Sequence, residues 1–189
     1  MLIASWNVNS IRTRLSQVSK WLGTYKPDVL CLQETKVIDE DFPCQTFLDM
    51  GYRIKVYGQK SYNGVAIISK EELIDCRMGF ESELGLNQSI AEFNNQKRVI
   101  SALINGVRVI NVYVPNGSSI DSEKFHYKIN WLKTLAFYLE KQQQRGEPTC
   151  LLGDFNIAPK KEDIHNYEKY EGGIMASKIE REALQNVLK

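Results

Sequence analysis

Cys150-Leu151-Leu152-Gly153-Asp154-Phe155-Asn156-Ile157-Ala158-Pro159 changes character halfway along. It begins as a short apolar run, the pattern of a buried strand. Gly153, Asp154 and Asn156 then bring in polar groups, and Pro159 bars a continuing strand. On an extended backbone a carboxylate and an amide two residues apart point to one face. At the end of a buried strand they would stand on the rim of a sheet. Gly, Asp, Asn and Pro are also the residues of an ordinary surface turn. The stretch alone leaves turn and site open, and the rest of the chain decides between them.

The chain has 189 residues, 43% hydrophobic and 25% charged. That is enough for one domain with a sizeable core, expected over residues 1–189. No apolar run approaches membrane-spanning length, and Met1 to Asn7 lacks the basic and apolar regions of a signal peptide. Cys31, Cys44, Cys76 and Cys150 form no C-x-x-C pair, which argues against a thiolate metal site and a disulfide framework. Reduced cysteines point to a cytoplasmic location. The net charge of +1 excludes a strongly basic protein that coats nucleic acid. If nucleic acid is the substrate, the positive charge must be local or be supplied by a bound divalent cation.

Leu2 to Val8 reads as a strand ending in polar residues. Ile11, Leu15, Val18 and Leu22 then recur at helical spacing, with Ser10 as N-cap and Gly23 and Pro27 as stop signals. Val29 to Leu32 is a second buried strand, ending in Gln33-Glu34-Thr35-Lys36. A short helix is expected after Pro43, stopping at Gly51. Tyr52 to Tyr57 and Gly64 to Ser69 read as paired strands. Ser89 to Phe93, Arg98 to Ile104 and Val107 to Val114 read as a meander whose last turn is Asn105-Gly106. Phe125, Ile129, Leu132, Leu135 and Leu139 line a long helix. The last helix opens with the capping box Ser177-Lys178-Ile179-Glu180, and its apolar face is Ile179, Ala183, Leu184 and Val187. Strands outnumber helices, and the helices fall between groups of strands. The pattern predicts an α/β protein with two packed sheets and helices outside.

Several strand ends thus carry polar residues: Asn7 with Asn9, Glu34, Tyr113 with Asn116, and Asp154 with Asn156. Carboxylates and carboxamides without Cys or His make a hard oxygen site, suited to Mg²⁺ or Mn²⁺. Glu34 is the natural ligand and Asn7 a supporting one. Taken singly, each of these residues has a bland reading as a solvated charge, a turn or core. Their conjunction carries the inference.

The motifs W-N-V-N-S-I-R (Trp6 to Arg12), P-D-V-L-C-L-Q-E-T-K (Pro27 to Lys36), Tyr62-Asn63-Gly64-Val65-Ala66, N-V-Y-V-P-N-G (Asn111 to Gly117) and L-G-D-F-N-I-A-P (Leu152 to Pro159) follow one another in this order. Together they resemble the exonuclease III and apurinic/apyrimidinic (AP) endonuclease branch of the endonuclease/exonuclease/phosphatase superfamily. The resemblance runs over essentially the whole chain. It implies a four-layered, DNase I-like α/β sandwich of two mixed sheets flanked by helices. It also implies a Mg²⁺-dependent (or Mn²⁺-dependent) DNA repair nuclease. Such an enzyme acts as a 3′–5′ exonuclease on duplex DNA and cuts the phosphodiester 5′ to abasic sites, here as a monomer without a membrane.

Residue by residue, Glu34 matches the family's principal metal ligand and Asn7 its neighbour in the metal shell. Asp154 matches the residue that activates or orients the attacking water. Asn156 matches the amide on the scissile phosphate, and Tyr113 the tyrosine that donates to it. Asn9 and Asn116 match positions near the DNA. Lys124 and Lys128 match a basic patch at the start of the long helix, where they would grip backbone phosphates. The family's chains continue past a segment like Glu180 to Leu188 and close with an Asp-His pair. His126 and His165 lie in other contexts. The expectation is a domain incomplete at its C-terminus, lacking the family's last strands and weakly active or inactive alone. Two alternatives stay open: another phosphodiesterase of the superfamily acting on RNA or a different phosphoester, and a non-catalytic DNA-binding remnant.

Overall fold

The computed structural model describes residues 1–189. Its chain forms two compact units. The first unit, residues 1–113 with 145–154, holds both β-sheets. Strands β1 (Ile3–Asn7), β2 (Val29–Gln33), β3 (Arg53–Tyr57) and β4 (Val65–Ser69) make one sheet in the order β1-β2-β4-β3. Strands β5 (Ile74–Met78), β6 (Val99–Ile104), β7 (Val107–Tyr113) and β8 (Thr149–Asp154) make the other in sequence order. Each sheet is mixed: β1 is parallel to β2, and β7 to β8, while the remaining pairs are antiparallel.

The apolar run in β2 is explained by burial on both faces. Leu30 and Leu32 pack with Ile11, Val18 and Leu22 of α1 (Ile11–Tyr25) and with Phe47 of α2 (Cys44–Asp49). Val29 and Cys31 turn the other way and join Ile100, Ala102, Ile104 and Val109 between the sheets. A side-chain period of two thus sends alternate residues to a helix layer and to a second sheet. Losing one such leucine to alanine costs about 2–5 kcal/mol. The Asn105-Gly106 turn joins β6 to β7 as expected, with positive φ at both residues.

Four expectations change. Ser89 to Phe93 is not a strand but part of α4 (Gln88–Asn95), which follows the short α3 (Glu81–Leu84). Asn87 caps it by accepting the Ile90 N–H at 3.0 Å, and Ile90 and Phe93 are buried three residues apart, the helical spacing. Strand β5 was absent from the sequence reading, because it is a half-exposed edge strand with a register shift and no clean alternation. Ser10 does stand at the N-cap of α1, yet its side chain makes no capping bond. The helix start is tied instead to the loop after β2: Ser10 N–H donates to Glu34 O at 2.7 Å and Ile11 N–H to Thr35 O at 3.1 Å. The last change concerns the second unit.

That unit, residues 114–144 with 155–189, is built on α5 (Glu123–Gln143) and α7 (Lys178–Val187), with the short α6 (Tyr167–Tyr170) between. The capping box of α7 is present as read, Ser177 with Glu180. Its buried face is Glu180, Leu184 and Val187, whereas Ile179 is 50% exposed. On α5 the buried set includes Lys128, Trp131, Tyr138 and Gln142 beside the expected leucines. Two polar residues, Lys128 and Glu180, therefore take places that the apolar pattern assigned to others, and they take them together, paired at 2.6 Å.

Candidate active site

In the first unit, parallel pairing brings strand ends level: Asn7 is in register with Gln33, and Tyr113 with Asp154. The Asn7 amide ties them. Its Nδ2 donates to Glu34 Oε1 at 2.8 Å and to Asp154 Oδ2 at 2.7 Å. Two carboxylates from residues 120 positions apart in sequence thus meet on one amide. Its Oδ1 accepts the Asn9 N–H at 3.0 Å, which holds the ring of contacts closed. Glu34 itself has positive φ, an uncommon backbone for a non-glycine residue.

Buried amides beneath the cluster keep these strand ends in place. Gln33 Nε2 donates to Asn111 Oδ1 at 2.7 Å, and Asn111 Nδ2 donates to the carbonyls of Leu32 and Ala66, both at 2.9 Å. This links β7 to β2 and β4, one residue before Glu34 and two before Tyr113. Gly153 does similar work in β8. With φ +145, it lies so close to β7 that an added Cβ would meet Val112 O at 1.9 Å.

The electrostatics follow from these contacts. Burial pushes the Glu34 carboxyl up, but hydrogen bonds from Asn7, Lys36 and Tyr113 outweigh it and hold the group below its ordinary range. Lys36 Nζ lies 2.9 Å from Glu34 Oε2 and also reaches Asn9 Oδ1. Burial pushes the Tyr113 phenol up, and the Glu34 carboxylate that it bonds adds to the shift. Tyr113 therefore remains a proton-bearing donor throughout the physiological range. Arg98 sits over its ring at 4.6 Å and donates to its carbonyl at 3.1 Å.

Asp154 is the last residue of β8, so the extended backbone expected through Asn156 is not formed. Asn156 has φ 49, a left-handed turn, and belongs to the second unit. There its Nδ2 donates to Val114 O at 2.9 Å, and Asn116 Nδ2 approaches its Oδ1 at 3.5 Å. Asn116 is exposed, as are Asn9 in the first unit and Lys124 in the first turn of α5. Lys128 is placed differently from the expectation. It is fully buried, and its ammonium donates to Asn116 O at 3.1 Å, to Asn156 O at 2.7 Å and to Glu180 at 2.6 Å. A lysine at a helix start reads as solvated until the partner that buries it is seen. Lys36, Arg98, Gln33 and Asn111 are the neighbours that sequence reasoning did not single out. Lys36, Gln33 and Asn111 stand within quoted motifs, but nothing local shows which way they point.

The donor set fits a hard cation through oxygen. Glu34 already faces a positive charge, that of Lys36, at 2.9 Å. Asn7 fits only through its Oδ1, because the structure turns its Nδ2 toward both carboxylates. No group of three or more His, Cys, Asp or Glu side chains is arranged to hold a metal. Mg²⁺ commonly takes only one or two carboxylates with waters and substrate phosphate, a coordination that these residues would suit.

The sequence matches the Endonuclease/Exonuclease/phosphatase family over residues 4–177. It is 37% identical over 169 residues to exodeoxyribonuclease III of Haemophilus influenzae, covering 87% of this chain and 60% of that relative. Among solved structures, a 3′ phosphatase from Neisseria bound to a product DNA hairpin superposes with TM-score 0.91 at 41% identity. An AP endonuclease from Archaeoglobus fulgidus does so with TM-score 0.89 at 42% identity. Both comparisons cover 100% of this chain and 70% of the other. The chain thus spans about three-fifths of the Haemophilus relative's length. Its two mixed sheets flanked by helices are those of the AP endonuclease fold. With its strand-end cluster of Asn7, Glu34 and Asp154 in place, the chain belongs to the Endonuclease/Exonuclease/phosphatase family, on the branch of the exonuclease III-like nucleases.

Proposed function

We propose that this chain hydrolyses phosphodiesters of duplex DNA with the help of Mg²⁺ (or Mn²⁺), removing nucleotides from 3′ ends and nicking 5′ to abasic sites. The observation that carries the reading is the meeting of Glu34 and Asp154 on the Asn7 amide, at 2.8 and 2.7 Å. Such a pair of carboxylates at strand ends has no evident use in a scaffold, and the relatives are named for this chemistry. The free cysteines suit the reducing cytoplasm that the reading expects.

Glu34, with Asn7 through its oxygen, would hold the cation. When bound, the ion neutralises charge on the phosphoryl oxygens. Asp154 accepts a proton from the attacking water. A P–O bond forms to that water's oxygen, and the bond to the 3′ oxygen breaks, the electron pair leaving with that oxygen. Tyr113, kept protonated by burial and by Glu34, and Asn156 donate hydrogen bonds that strengthen as charge develops. Exposed Asn9, Asn116 and Lys124 supply contacts to the DNA backbone, which position the substrate without reading its sequence.

The test is cleavage of a duplex carrying one abasic-site analogue, with Mg²⁺, with EDTA, and with Asp154→Asn. The expected result is a metal-dependent nick that Asp154→Asn reduces by about 10²–10⁴-fold, the scale of a positioned general base. Equal cleavage in EDTA would overturn the reading. So would faster turnover of an RNA duplex or a 3′-phosphate end than of the abasic substrate.

A further inference from the structure

The second unit contains a buried ion pair that the proposed chemistry does not use. Lys128 and Glu180 are both 0% exposed. Burying a charge is costly unless it is paired and hydrogen-bonded. A pair kept in this place therefore calls for an account of what it holds. The Lys128 ammonium has three N–H donors. One reaches Glu180 Oε1 at 2.6 Å, and the others reach the main-chain carbonyls of Asn116 at 3.1 Å and Asn156 at 2.7 Å. Those carbonyls belong to the two residues whose side-chain amides approach each other at 3.5 Å. Glu180 is fixed in turn. Its carboxylate accepts from Met175 N–H, from Ser177 N–H and from the Ser177 hydroxyl at 3.1, 3.2 and 2.6 Å.

The packing is as close as the hydrogen bonding. Gly117, with φ +90, lies against the Lys128 stem: an added Cβ would meet Lys128 Cδ at 3.0 Å and Ile174 Cδ1 at 2.9 Å. The loop that carries Asn116 thus rests on Lys128 by contact and by hydrogen bond. The Asn156 loop is held from below by Lys128 and on its flank by Val114.

We propose that Lys128 and Glu180 are positioning residues: the buried pair sets the backbone of two loops so that the Asn156 and Asn116 amides are presented together. The catalytic consequence rests on the nuclease reading above, whereas the effect on the loops does not. Lys128 acts through the backbone of these loops and touches no substrate. This replaces the expected phosphate grip with a structural cause of the same residue's importance.

The test uses the full chain with Lys128→Met/Glu180→Gln. This double variant removes both charges and keeps one of the two acceptor oxygens, which can still serve Ser177. Two measurements are made: hydrogen exchange of the amides of residues 115–118 and 155–158, and kcat with KM on the abasic duplex. In a variant with native circular dichroism, exchange in both loops is expected to speed up at least about tenfold. The kcat is expected to fall about ten- to hundredfold with KM little changed, the scale of a misplaced group. If the double variant does not fold, Ser177→Ala, which loosens Glu180 without stranding a charge, carries both measurements. Unchanged exchange in either loop of a folded variant overturns the proposal. So does a rise in KM with a flatter salt dependence and intact kcat, since that is the mark of a lost phosphate contact. If the parent chain shows no metal-dependent cleavage, the nuclease reading fails, and hydrogen exchange alone decides the positioning role.

Discussion

The same two residue types pair twice in this molecule, with different consequences. Lys36 and Glu34 meet at 2.9 Å with their side chains 29% and 19% exposed. Lys128 and Glu180 meet at 2.6 Å with both side chains fully buried. The first pair is wet enough that water and ions can replace either partner, and Glu34 also bonds Asn7 and Tyr113. A carboxylate with exchangeable partners can take up a cation. The second pair has no such freedom: removing one member strands the other in the interior. Identical chemistry serves as an exchangeable site in one unit and as a fixed support in the other, and solvent access makes the difference.

The largest expected effect tests the buried pair. Lys128→Met leaves Glu180 without its counter-charge and is expected to cost about 3–5 kcal/mol in urea unfolding. A loss no larger than that of Lys36→Met would break the comparison. A middle-sized effect sharpens it with a buried group that bears no charge. Asn111→Leu takes one acceptor from Gln33 Nε2, which keeps Ser5 and Cys31, and a donor from the carbonyls of Leu32 and Ala66, at an expected cost of about 1–3 kcal/mol. Such a value, between the other two, would show that burial ranks these contacts, with charge adding to it. Lys36→Met is expected to change stability by less than about 1 kcal/mol. Its effect should be seen instead in the concentration of Mg²⁺ needed for half-maximal cleavage.

The smallest effect is in the pH dependence of the half-buried pair. The Glu34 carboxyl is held below its ordinary value of 4.5 by its donors, so its contribution to stability is present above that pH. The contribution is lost as pH falls further, through the folded-state value. The stability gap between the parent and Glu34→Gln should therefore shrink on acidification below pH 4.5. A gap constant down to pH 3 would mean that the three donors do not act on this carboxylate.

Much of the site was legible because its residues end strands, and strand ends can be read from where an apolar run turns polar. Glu34 after Val29 to Leu32 and Asp154 after Cys150 to Leu152 are of this kind. Asn156 was legible as a residue but not in conformation: a left-handed turn at φ 49 looks the same in sequence as an extended step. The Ser89 to Phe93 segment was misread because five residues with apolar groups three apart fit either period too briefly to separate them. Lys128 was misread because helix periodicity reports which positions face inward only when those positions are apolar.

The sequence by itself determined most of the strands, the capping box at Ser177 and Glu180, the oxygen-rich donor set and the family, since each is written in local pattern or motif. Only the tertiary structure decided that one Asn7 amide bridges Glu34 and Asp154, and that Lys128 supports two loops from within. Both depend on contacts between residues far apart in the chain. A charge reads as solvated until its partner, here Glu180, arrives from 52 residues away to make its burial tolerable.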